Sequence, residues 1–243
     1  MILIFKLTFL FMCGTVSGWI IELIWRRYFG LARRWLNPGF LNGPWLPIYG
    51  FGTIFLYYLS INILPIYLLI PLFFFSMTLL EFVAGIFFIN VYKIRLWDYR
   101  GNRLNIMGII CPFYSFLWTI LGLVFYYYIH PILYKYILII LSRYELTFFL
   151  GIYVGVLFVD IVISFNLANR IKNVVRNSGQ KWHVEYEGFK IELRDRFEKG
   201  VKNRTHFMLP FNGESGLLLK NRLLEHKDKI IRPIKTLKNR VKH

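Results

Sequence analysis

The sequence predicts an all-α membrane protein: about five transmembrane helices, a Pro/Gly-rich broken or re-entrant segment before the second, and a basic cytoplasmic tail. Three observations predict it. The 243 residues are 56% hydrophobic and 19% aromatic, and only Glu22, Glu81, Asp98, Glu145 and Asp160 are acidic before residue 170. A soluble core of this size needs no such long apolar runs. The net charge of +17 is uneven: residues 1–169 hold eleven Lys/Arg against five acids, and residues 170–243 hold nineteen against eight. The run Asn37-Pro38-Gly39-Phe40-Leu41-Asn42-Gly43-Pro44-Trp45-Leu46-Pro47-Ile48-Tyr49-Gly50-Phe51-Gly52 packs three prolines and four glycines into sixteen residues. These divide the chain into a transmembrane domain, 1–169, and a basic cytoplasmic tail, 170–243.

The first span is expected over 2–25. Its N-terminus carries one charge, Lys6, and lacks a small-residue cleavage site, so it reads as a retained helix and not a removed signal peptide. The Pro/Gly run follows. Lipid cannot solvate free N–H and C=O groups, so irregular backbone at membrane depth must be covered by protein or line a watery cavity. Proline removes a donor and blocks the preceding turn. The expected broken-helix motif is Gly39, Gly43, Pro44, Pro47, Gly50 and Gly52, feeding a short second span at 45–60. A third span is expected at 66–91, a fourth at 106–129 ending at His130-Pro131, and a fifth at 147–168. Crossing a hydrocarbon core of about 30 Å takes about 20 apolar residues. Residues 131–145 are expected to lie along the outer interface or to extend the fifth helix, and Pro112 to kink the fourth.

Charge predicts orientation. Arg26, Arg27, Arg33 and Arg34 follow the first span, Lys93, Arg95, Arg100 and Arg103 follow the third, and a basic tail follows the fifth. Positive loops favour the cytoplasm. All three lie on one side only with an odd span count, an external N-terminus and an internal C-terminus. Trp25, Trp35, Trp45 and Trp97 then mark the inner boundary, and Tyr126, Tyr127 and Tyr128 the outer one.

Ionisable side chains inside spans are costly and usually face a protein interior or a cavity. Glu22 lies one turn inside the first basic loop. Glu81 lies about 18 Å up the third span from Lys93, and Asp160 about 15 Å up the fifth from Arg170, at 1.5 Å per residue. One reading is a shared polar cavity for a cation, a proton or a polar headgroup. The other is structural: Glu22 pairs with Arg26, its i+4 neighbour, and Glu81 and Asp160 are interhelical hydrogen-bond partners. A second constellation, Trp97-Asp98-Tyr99-Arg100-Gly101-Asn102 leading to Asn105 and Gly108, forms an inner turn. Asp98 and Asn105 are candidate caps for the fourth helix, and Asp98 is alternatively a partner for Arg26, Arg27 or Arg100. The indole of Trp118, mid-span, needs a partner. The candidate substrate or ion site is Glu22, Glu81, Asp98, Asn37, Tyr49 and Asn105.

The blocks GWIIELIWRR, NPGFLNGPWLPIYGFG, LEF around Glu81, and WDYRGNRLNIMG followed by Trp118 resemble a bacterial family of ABC-transporter type IV permeases, the CmpB-like group, over roughly residues 10–165. The positions that match are Gly18, Glu22, Asn37, Gly39, Phe40, Gly43, Pro44, Pro47, Tyr49, Gly50, Gly52, Glu81, Trp97, Asp98, Tyr99, Asn105 and Gly108. Pro38 departs where the family pattern has arginine, so in any charge pair that arginine makes either Arg33 or Arg34 substitutes or the pair is absent. Arg100 departs from a small polar residue. The resemblance implies a multi-pass transporter subunit of the bacterial cytoplasmic membrane. The chain has no GxxxxGK[ST] phosphate loop, so any ATPase is a separate polypeptide.

Cys13 and Cys111 lack metal-ligand spacing, and the five histidines are scattered with no HExxH. No metal and no cofactor are expected. The tail suggests a strand or hairpin at 181–193 and a basic amphipathic helix at 217–241 lying on anionic inner-leaflet lipid; a solvated extension is the alternative. No nucleic-acid module is recognisable. The leading expectation is therefore a permease subunit of unknown substrate, with a separate ATPase or a homo-oligomer as partner. An intramembrane enzyme acting on lipid or polyprenyl headgroups is one alternative. No nucleophile–base pair is visible, which favours a non-enzymatic role. A membrane scaffold or assembly protein is the other alternative.

Overall fold

The computed structural model describes residues 2–29, 35–61, 64–141, 143–177, 183–186 and 189. It is mostly helical. Helix α1 is Ile2–Phe29, α2 Pro47–Ile61, α3 Ile66–Phe87, α4 Pro112–Val124, α5 His130–Leu141 and α6 Tyr144–Asn177. Wide π turns, Phe88–Tyr92 and Phe125–Ile129, continue α3 and join α4 to α5. Among the described residues, four helical stretches are long and apolar enough to cross a membrane: Ile2–Phe29, Ile66–Tyr92, Pro112–Ile137 and Thr147–Asn173. The apolar α2 has 15 residues, about 22 Å at 1.5 Å per residue, and falls short of a full crossing by itself.

The chain divides into two units. The first combines Met1–Ile86 with Asp98–Ser164. Its core is Leu10, Leu56, Tyr57, Leu69, Phe73, Met77, Phe125 and Ile137. Helices α1 and α2 approach closely because glycines on each leave room for side chains of the other. A Cβ on Gly18 would lie 2.1 Å from the Tyr49 ring, and one on Gly14 would lie 2.4 Å from Thr53 Oγ1. Small residues at such crossings let backbones meet in lipid, where no hydrophobic drive separates helix from solvent. The approach lets the Leu46 amide donate to the Thr15 carbonyl at 3.0 Å, just before α2 begins.

The second unit combines Phe87–Trp97 with the chain from Phe165 onward. Phe88 and Phe165 stack at 6.0 Å, and Tyr92 meets Phe165 edge-on at 5.1 Å. Strand β1, Ile94–Arg95, pairs in parallel with β2, Val184–Glu185. Where the sequence suggests a strand or hairpin at 181–193, the described part is this single two-residue strand. The amphipathic stretch at 217–241, and Arg33 and Arg34, lie outside the described residues.

Two expectations about the fourth span are corrected. Pro112 does not kink it but opens it, at the first helical turn, after an extended Cys111 with φ −150° and ψ 153°. The residue before proline is pushed out of the helical region, and proline has no amide to waste at a first turn. Residues 98–111 form a turn-rich loop with an Ile106–Ile110 bridge instead of the span's first turns. At the far end the helix does not stop at His130-Pro131. The π turn at Phe125–Ile129 widens the spiral directly before Pro131, whose ring would otherwise strike the carbonyl four residues back, so the chain runs on as α5. Residues 131–141 thus extend α4, not α6.

Candidate functional site

Residues 35–46 carry no helix or strand, yet their polar groups are paired. Asn37 organises the near end. Its Oδ1 accepts from Trp19 Nε1 at 2.9 Å and from the Gly39 amide at 3.0 Å. Its Nδ2 donates to the carbonyls of Leu41 (3.0 Å) and Asn42 (2.8 Å). Asp160, 7% exposed on α6, organises the far end. Oδ1 accepts from the Asn42 amide (3.0 Å), Asn42 Nδ2 (3.0 Å) and Ser164 Oγ (3.1 Å). Oδ2 accepts from the Gly43 amide and Trp45 Nε1, both at 2.7 Å. Five donors saturate this carboxylate, which leaves it no capacity for a ligand. Gly43 fits because a Cβ there would overlap the Trp45 ring at 2.2 Å.

Glu22 and Glu81 occupy a different setting. Glu22 Oε1 accepts from Arg26 Nε at 2.9 Å, the expected i+4 pair, and Oε2 accepts from the Tyr49 hydroxyl at 3.1 Å. Tyr49 lies 4.8 Å from the Trp118 ring. Glu81, 3% exposed, accepts from the Tyr99 hydroxyl at 2.8 Å through Oε1. Its Oε2 is buried and has no hydrogen-bond partner among the described residues. The Trp118 indole acts on the same carboxyl but lies off the geometry of a full hydrogen bond. Tyr99 is held by stacking on Tyr114 at 4.1 Å and by its amide donating to the Gly108 carbonyl at 2.9 Å. Burial, reinforced by the Glu81 charge, pushes the Tyr99 hydroxyl well above the ordinary tyrosine range, so it stays a donor. Glu22 and Glu81 influence one another electrostatically. Together these residues form one acidic cluster, Glu22 and Glu81 with Tyr49, Tyr99 and Trp118 against them and Tyr114 stacked on Tyr99.

The structure thus brings Glu22, Tyr49 and Glu81 together and places Asn37 at the Pro/Gly segment. Asp98 and Asn105 sit in the 98–111 loop on local partners. Asp98 accepts from the Arg100 amide (3.0 Å) and from Arg100 Nε (2.8 and 2.9 Å). Asn105 Oδ1 accepts from the Gly108 amide at 3.1 Å, and Nδ2 donates to the Asn102 carbonyl at 2.8 Å. Neither caps α4, whose N-cap position is Cys111. The loop is shaped by left-handed Leu104, Met107 and Gly108. Sequence reasoning missed Asn42 and Ser164 altogether, and Tyr114 as the ring that holds Tyr99. Asn42 and Tyr114 are ordinary residues whose partners lie elsewhere in the chain, whereas Ser164 is the i+4 neighbour of Asp160, a spacing that could have found it.

Residues 9–165 match the family described as "Putative ABC-transporter type IV". The chain belongs to that family. The matched region of this type IV family member contains both the Asn37–Asp160 network and the acidic cluster. No curated protein and no solved structure matches the chain.

Proposed function

We propose that this type IV family member is a transport subunit of the bacterial cytoplasmic membrane whose acidic cluster, Glu22, Tyr49 and Glu81, receives a cationic group of its substrate. The observation that carries this reading is Glu81 Oε2, buried with no hydrogen-bond partner among the described residues. A carboxylate oxygen buried without a donor is costly unless something supplies one, and the rings of Tyr49, Tyr99 and Trp118 in the cluster suit a cation. Asp98 and Asn105 hold the loop that delivers Tyr99 to Glu81. Asn37 and the motif Gly39, Gly43, Pro44, Pro47, Gly50 and Gly52 hold the segment that delivers Tyr49.

On this reading α2 completes a fifth crossing with the irregular residues before it, the N-terminus is external, and the tail from 170 is cytoplasmic against anionic lipid. The three basic segments on one side support it. Energy comes from a separate ATPase. The test is affinity purification of the full chain from native membranes in mild detergent. A stoichiometric P-loop ATPase is expected. Recovery of this chain alone, in a preparation that keeps other complexes intact, would overturn the ATP-driven reading.

A further inference from the structure

Three buried side-chain atoms lack hydrogen-bond partners among the described residues: Glu81 Oε2, Ser60 Oγ and His130 Nε2. The first belongs to the acidic cluster. The other two lie beside Tyr57, at the other end of the same unit. The His130 ring is 5.3 Å from the Tyr57 ring, and Ser60 is one turn further along α2. The Lys6 ammonium sits over the same Tyr57 ring, 4.6 Å from its centre, and acts electrostatically on His130. Among the described residues Lys6 has no carboxylate partner. On α1 it is sixteen residues from Glu22, about 24 Å at 1.5 Å per residue.

We propose that Lys6, His130 and Ser60 bind a phosphate-class oxyanion at the end of the bundle remote from Glu81. The group holds a cation, an imidazole nitrogen able to donate, and a hydroxyl, and no acid among the described residues opposes them. Lysine binds phosphate as a point charge. The Tyr57 face supports the ammonium without neutralising it, and the Tyr126 ring, parallel to the imidazole at 6.5 Å, holds His130 in place. A phospholipid headgroup and free phosphate share this chemistry. The inference does not rest on the transport reading.

The test uses the full chain purified and stripped of lipid. Native mass spectrometry compares retention of phosphatidylglycerol with diacylglycerol of the same tails, and calorimetry titrates inorganic phosphate. The wild type is expected to retain phosphatidylglycerol over diacylglycerol, which makes a headgroup the source, or to bind phosphate saturably without that preference, which makes the free anion the source. Lys6→Gln is expected to weaken the interaction at least tenfold, and Lys6→Arg to keep it. His130→Phe, which keeps the ring and removes both nitrogens, is expected to weaken it likewise, and covers a misfolded Lys6→Gln. No binding by the wild type, or wild-type binding by folded Lys6→Gln or His130→Phe, would overturn the proposal.

Discussion

The Gly43 amide donates to Asp160 Oδ2 at 2.7 Å, across 117 positions of sequence. With the other donors to Asp160, this contact fastens irregular backbone onto α6 and satisfies groups that lipid would leave bare.

Asp160→Asn presents an amide nitrogen to donors that need an acceptor. If the Gly43 amide and the Trp45 indole are both stranded, the cost is on the order of 2–6 kcal/mol, at about 1–3 kcal/mol for each buried donor. Cellular abundance and the melting temperature of the purified chain should both fall. An unchanged melting temperature would refute the clamp.

Gly18→Ala should destabilise the chain by about 1–3 kcal/mol, the usual cost of overpacking, because its Cβ meets the Tyr49 ring at 2.1 Å. The matched control is Gly151→Ala on α6, where nothing lies within 4 Å of the added carbon. Thermal melts of the two variants should separate them clearly, and similar melts would contradict the close α1–α2 approach.

Much of this was legible in the sequence, and what was not had physical causes. The apolar runs placed most of the helices, because length and hydropathy are local properties. Glu22 with Arg26 was legible because i+4 neighbours meet on any helix. The continuation past His130-Pro131 was hidden, because a π turn has no composition of its own. Asp160 was visible as an expensive acid, but its role depended on Asn42, Gly43 and Trp45, which no spacing rule connects to it. Asp98 and Asn105 looked like helix caps because capping residues and turn residues are the same types; the extended Cys111 before Pro112 decided between the two.

Tyr99 gives an alkaline prediction. Its hydroxyl ionises well above the usual value when folded and near about 10 when unfolded. The raised folded value means that the contribution is fully present below about pH 10 and lost as pH rises through the folded value. Tyr99→Phe removes this dependence. Its stability should decline less steeply than the wild type above about pH 10, in parallel chemical melts, and identical slopes would remove Tyr99 from the account.

The most direct measurement of the central claim is a titration of the purified full chain with tetramethylammonium and with ammonium, followed by tryptophan fluorescence in wild type and Glu81→Gln. Glutamine keeps an acceptor for Tyr99 and loses the charge, so the fold should stay intact. The account predicts a saturable response to at least one cation in the wild type, weakened at least tenfold in Glu81→Gln at an unchanged melting temperature. No response in the wild type, or equal responses in the two proteins, would contradict it.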